Sequence, residues 1–140
     1  MTYGDCIEVD NVDDAKEFSE TLYALTLCGV GSKQQSLILR VLAAILHLGN
    51  VELEEGNNEG TKIDQNSPAL GYVCELLGVE KSQLAQWLCY RRIQTVGDVF
   101  DKPLRIDEAQ TAKDALAKHI YAQLFDMIVE HVNTALITKD

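Results

Sequence analysis

From Asp107 to Leu136 the chain contains neither proline nor glycine, so nothing interrupts a helix over that stretch. Asp107, with Gln110 three residues later, has the spacing of a capping box. Leu116, Ile120, Leu124, Ile128, Val132 and Leu136 then recur every fourth residue, which places them on one helical face. That stripe alone would suit an ordinary amphipathic helix. But Leu124–Phe125–Asp126–Met127–Ile128–Val129 has five apolar residues in six, so the middle of the helix is apolar almost all round. A helix of that kind belongs inside a large body. At roughly 1.5 Å per residue it runs about 45 Å, against roughly 30 Å for the width of a small domain. The segment therefore predicts a chain that is part of something larger than itself.

The residues before it read as shorter helices and two hairpins. Asp14 and Glu17 have capping-box spacing. The helix they open carries Phe18, Leu22 and Leu25 on its apolar face, with Tyr23 on the flank, and Gly29 closes it. Ser32, with Gln35 at the capping-box position, opens a second helix that is apolar on most sides from Leu37 to Leu48 and stops at Gly49-Asn50. Val51–Leu53 and Thr61–Ile63 alternate as short strands around an acidic, Gly/Asn-rich tip from Glu54 to Gly60. Ser67-Pro68 starts a helix that buries Leu70, Val73, Leu76 and Leu77 and ends at Gly78. A further helix from about Lys81 carries Leu84, Trp87 and Leu88, with Trp87 as a core anchor. Ile93 to Leu104 reads as two extended pieces around Val96-Gly97-Asp98, closed by Pro103. The predicted class is mostly α: one helical piece over residues 1–140, with one long C-terminal helix and two short β-hairpins.

Composition narrows the function. Hydrophobic residues make up 46% of the chain, enough to fill a core, and the net charge of −10 argues against general nucleic-acid binding and against docking on an anionic membrane. No apolar run reaches the roughly 18 residues of a transmembrane helix. The N-terminus is acidic and mixed, unlike a signal peptide, and Met1 before such a sequence reads as an added start codon. Cys6, Cys28, Cys74 and Cys89 contain no C-x-x-C pair and are expected to be free, buried, reduced thiols rather than a zinc site. That usage fits a cytoplasmic protein.

Catalytic and ligand motifs are mostly missing. The phosphate-binding pattern G-x-x-x-x-G-K-[ST] is absent, and Gly29-Val-Gly31-Ser-Lys33 follows a helix rather than a strand. His47, His119 and His131 never form H-x-x-x-H, and Glu54, Glu55, Glu59 and Asp64 lack the order of a calcium loop. No catalytic, cofactor-binding or metal-ligating residue is therefore assigned. One segment stands apart: Arg91 to Arg105 holds four basic side chains, Arg91, Arg92, Lys102 and Arg105, against Asp98 and Asp101. A basic protrusion on an acidic body steers towards an acidic partner, although exposed hairpins are also basic without purpose.

Four blocks carry a resemblance, in order. Asp13-Asp-Ala-Lys-Glu-Phe18, Val41-Leu-Ala-Ala-Ile-Leu-His-Leu-Gly-Asn-Val51, Leu84-Ala-Gln-Trp-Leu-Cys-Tyr-Arg-Arg92, and Asp114-Ala-Leu-Ala-Lys-His-Ile-Tyr-Ala-Gln-Leu-Phe-Asp126 each resemble a block of the myosin motor head. Trp87-Leu-Cys and Lys118-His-Ile-Tyr resemble class V myosins most. Leu22 stands where many myosins have Arg, and Met127 where Trp is common, which leaves the isoform open. The resemblance implies a fragment of the upper actin-binding subdomain of an actin-activated ATPase, cut between the nucleotide-sensing switches. The intact motor would use Mg-ATP; this chain alone would not be an enzyme. Its partners would be the actin filament, through the loop holding Arg91, Arg92, Asp98, Lys102 and Arg105, and the rest of the head. The setting would be the cytoplasm and cytoskeleton. Asp98 lies sixteen residues before Asp114, where myosins carry an acidic or phosphorylatable residue, so it would supply a permanent charge; it also serves as a turn residue after Gly97. The alternative is a structural or engineered stand-alone fragment with no motor activity. Either way, the isolated chain is expected to self-associate or to leave part of the long helix exposed.

Overall fold

The computed structural model describes residues 7–137. In chain order its elements are α1 (Asp14–Leu27), α2 (Ser32–Gly49), β1 (Glu54–Glu55), a 3-10 turn (Asn57–Glu59) and β2 (Thr61–Lys62). Then come α3 (Pro68–Leu77), α4 (Lys81–Cys89), β3 (Tyr90–Gln94), β4 (Val99–Pro103) and α5 (Ile106–Ile137). The strands form two separate antiparallel pairs, β1 with β2 and β3 with β4. This is the expected mostly helical class, with a long last helix and two small hairpins. Cys6 lies outside the described residues.

The chain divides into two compact units: one is Val41–Tyr121, the other combines the segment up to Arg40 with that from Ala122 on. In the first, Leu48 and Val51, Leu70 and Val73, and Leu84 and Leu88 are fully buried and form the core with Ile63, Cys74 and Cys89. Leu116 and Ala117 of α5 pack against it. Two buried polar side chains lock the connections around that core. Thr61 Oγ1 donates to Leu104 O at 2.9 Å, and Lys113 Nζ donates to Val51 O at 2.8 Å. Burial lowers the Lys113 pKa from its ordinary value, partly offset by the nearby Asp114 carboxylate. Burial also raises the pKa values of the Cys74 and Cys89 thiols, which keeps them protonated. Neither they nor the half-buried Cys28 form a disulfide.

In the second unit, α1 ends in a Schellman motif. Val30 N–H reaches Leu25 O at 2.9 Å, Gly29 N–H reaches Thr26 O at 3.0 Å, and Gly29 takes the left-handed conformation at φ +84°. His131 Nε2 lies 3.0 Å from the Gly29 carbonyl, so this nitrogen carries the proton that is donated. Val30, Ile38 and Leu124 are buried.

Several local expectations shift. The N-cap of α1 is Asp13, not Asp14, and its carboxylate accepts from Lys16 N–H at 3.1 Å. At the start of α2 the Gly31 N–H donates to Gln34 Oε1 at 3.1 Å, while Gln35 Nε2 reaches out to Val30 O. At the start of α5 the Arg105 N–H donates to Glu108 Oε2 at 3.0 Å, whereas Gln110 bonds Asp114. The first hairpin pairs Glu54 with Lys62 and Glu55 with Thr61, beyond Val51–Leu53. Val51 is excluded from the ladder because its side chain fills the core and its carbonyl is taken by Lys113.

Trp87 is not a core anchor: it is 53% exposed. Leu84, Ala85, Leu88 and Cys89 define the inward arc of α4, and at 3.6 residues per turn Trp87 falls on the far side of that arc. The face expected for α1 is also thin. Phe18 is exposed, Leu22 and Leu25 are half-buried, and no residue of α1 is fully buried.

Candidate partner-binding hairpin

The β3–β4 hairpin is anchored at its base and bare along its arm. Cys89 and Leu104 are buried, and Leu104 N–H donates to Cys89 O at 2.8 Å, continuing the ladder below the strands. Above that point no residue of β4 is buried, and in β3 only Ile93 is half-covered. The helix of the Leu84–Arg92 block ends at Cys89, and Tyr90 turns extended at φ −133° and ψ 146°. The second hairpin therefore begins earlier than Ile93.

Register decides what each face presents. Arg91 pairs with Lys102, Arg92 with Asp101, Ile93 with Phe100, and Gln94 with Val99. Side chains alternate across a strand, so Arg91, Lys102, Ile93 and Phe100 share one face. Two cations stand directly opposite each other there, an arrangement that opposes pairing. Among the described residues neither Arg91 nor Lys102 forms an ion pair.

The other face is internally neutralised. Arg92 Nε lies 3.1 Å from Asp101 Oδ1, and Gln86 Nε2 of α4 donates to Asp101 Oδ2 at 3.1 Å. The hydrogen bond and charge of Arg92 hold the Asp101 carboxyl below the usual carboxylate range, and Asp101 in turn raises the Arg92 pKa. Arg105 is removed from the hairpin altogether. Its guanidinium grips Asp107 at 3.1 and 2.7 Å where α5 begins, which lowers the Asp107 pKa.

The tip is a tight turn. Thr95 N–H donates to Asp98 O at 2.9 Å, and Gly97 supplies the positive φ of +104°. Val96 and Asp98 are exposed there. The five residues singled out in the sequence thus separate into an unpaired doublet (Arg91, Lys102), a paired arginine (Arg92), a tip carboxylate (Asp98) and a residue at the start of a helix (Arg105). Sequence reasoning missed Gln86 and Phe100. The strand alternation would have placed Phe100, whereas Gln86 becomes visible only once α4 lies beside the hairpin.

Nothing comparable surrounds the other candidates. Among the described residues no cluster of three or more His, Cys, Asp or Glu side chains is placed to hold a metal ion. None of their helices is long and apolar enough to cross a membrane. The Gly29–Lys33 segment joins α1 to α2. The Gly31 N–H is taken by Gln34, and a Cβ at Gly29 would meet Ala135 at 3.1 Å.

The pattern of a myosin head (motor domain) matches residues 1–140. The chain belongs to the myosin head family. It is 43% identical to unconventional myosin-Vb of Rattus norvegicus over 98% of its length and 45% identical to unconventional myosin-Va of Gallus gallus over 91%. Myosin-2 of Saccharomyces uvarum is 37% identical over the whole chain. The chain is a myosin head segment of class V type. It spans less than a tenth of these relatives, 8%, 7% and 9% of their lengths.

Proposed function

We propose that residues 1–140 are a single helical piece of the upper actin-binding subdomain of an ATP-driven, actin-based motor head. Its β3–β4 hairpin contacts the actin filament, and α5 couples that contact towards the nucleotide site. The observation that carries the reading is the Arg91–Lys102 doublet on an exposed arm of a myosin head segment whose net charge is −10. Two like charges kept opposite each other cost stability in the free hairpin and become favourable against an acidic surface. Asp98 adds a fixed negative charge at the tip, so this head needs no phosphorylation there. The working place of such a motor is the cytoplasmic cytoskeleton. Mg-ATP serves the intact motor and is held by residues outside this chain. Calorimetric titration of the isolated chain with Mg-ATP is therefore flat.

Cosedimentation with actin tests the assignment in a complete motor head containing this segment. Asp98→Lys weakens actin activation, read from actin-stimulated ATPase rates, and Arg91→Glu lowers cosedimentation affinity by up to about fivefold at low salt, the scale of one exposed ion pair. Unchanged activation in the first variant and unchanged affinity in the second would contradict the reading.

A further inference from the structure

The sequence treats the basic residues of the hairpin as equivalent, and the geometry does not. We propose that Arg92, Asp101 and Gln86 form a clamp that positions the hairpin, and that Arg91 and Lys102, with Phe100 beside them, are the surface that meets a pair of carboxylates on the partner. This rests on the actin-facing reading above and assigns its parts.

Three observations separate the two sets. Arg92 pairs its guanidinium with Asp101, at 3.1 and 3.5 Å, so its charge is balanced within the hairpin. Asp101 is also the acceptor for Gln86 at 3.1 Å, which ties β4 across β3 to the last turn of α4. Leu84 and Leu88 of that helix are seated in the core, so Asp101 transmits a rigid reference to an otherwise bare arm. Arg91 and Lys102 lie on the opposite face, in register with each other and paired with nothing among the described residues. A doublet of cationic residues on adjacent strands, with Cα atoms about 5 Å apart, matches two neighbouring carboxylates. Phe100, half-exposed on the same face, supplies an apolar contact next to them.

Asp101→Asn in the complete motor head separates the two roles because they predict opposite signs. If Arg92 and its neighbours act only by net charge, removing the carboxylate makes the hairpin more positive, and actin affinity rises. If Asp101 positions the arm, affinity falls about two- to fivefold, the scale of an exposed hydrogen-bonded ion pair. The slope of affinity against ionic strength stays as in the parent, because the contacting charges are intact. Backbone amides of Tyr90–Pro103 exchange faster with solvent. The exchanged pair Arg92→Asp with Asp101→Arg rebuilds the ion pair but not the acceptor for Gln86, so it restores affinity and amide protection in part, whereas Arg91→Gln and Lys102→Gln each flatten the salt dependence without loosening the hairpin. A gain or no change in affinity for Asp101→Asn overturns the clamp, even where Arg91→Gln and Lys102→Gln confirm that the hairpin touches actin. Failure of Arg91→Gln and Lys102→Gln to alter affinity or salt dependence removes the actin-facing reading itself.

Discussion

Lys113 is, with Thr61, one of the two buried polar residues among those described. The residue is 6% exposed, and its ammonium donates to the Val51 carbonyl, which the first hairpin leaves out of its ladder. Lys113→Met keeps the apolar stem but orphans that carbonyl. It should destabilise the fold by about 1–3 kcal/mol, the cost of an unmet buried acceptor, read from urea unfolding; a loss below about 0.5 kcal/mol would contradict the tether. The pH dependence has a definite sign. Burial lowers the folded-state pKa below the ordinary 10.5. Between those two values the unfolded chain holds more protons than the folded one, so stability rises with pH there. Lys113→Met should flatten that rise. Nothing in the sequence marked this residue, because a lysine two turns into a helix usually reaches water. Its role follows from Val51 lying beneath it, a contact separated by 62 residues in the chain.

At the scale of elements, the two helix-ending glycines make a matched comparison. Gly29 and Gly78 both sit at positive φ, +84° and +69°. A Cβ on Gly78 meets open space, whereas one on Gly29 approaches the Ala135 Cβ at 3.1 Å. Both alanine variants carry the left-handed penalty of about 1–2 kcal/mol. Gly29→Ala should cost about 1 kcal/mol more through crowding, and equal melting temperatures would contradict that packing. Both stops were legible in the sequence, as were all five helices and both hairpins, because Gly, Pro and apolar period act locally. Caps were legible only to within two residues: Asp13, Gln34 and Glu108 prevailed over nearby residues with similar chemistry. Trp87 was misplaced because the spacing of Leu84, Trp87 and Leu88 suits a buried face, while Ala85 and Cys89 complete a better-packed one. The hairpin doublet was legible as charge but not as register. Only the pairing of Arg91 with Lys102 and Arg92 with Asp101 divides it into two faces.

Across the whole molecule, apolar surface remains uncovered. Leu37, Leu39 and Leu46 of α2 and Phe125, Met127 and Val129 of α5 are each more than a third exposed. Covering a large apolar side chain contributes roughly 1.5–3 kcal/mol, so these residues favour association. The isolated chain should scatter light as a concentration-dependent oligomer and bind a hydrophobic dye. A strict monomer that binds no dye would show that these side chains find cover within the chain. The central claim is that the bare β3–β4 arm is the charged contact with actin. It is tested most directly by cosedimentation of the complete head carrying Arg91→Glu with Lys102→Glu across an ionic-strength series. The account predicts a loss of affinity of about tenfold at low salt, from two exposed charge reversals, that closes as salt approaches 1 M and screening shortens to about 3 Å. Affinity equal to that of the unsubstituted head at low salt would contradict it.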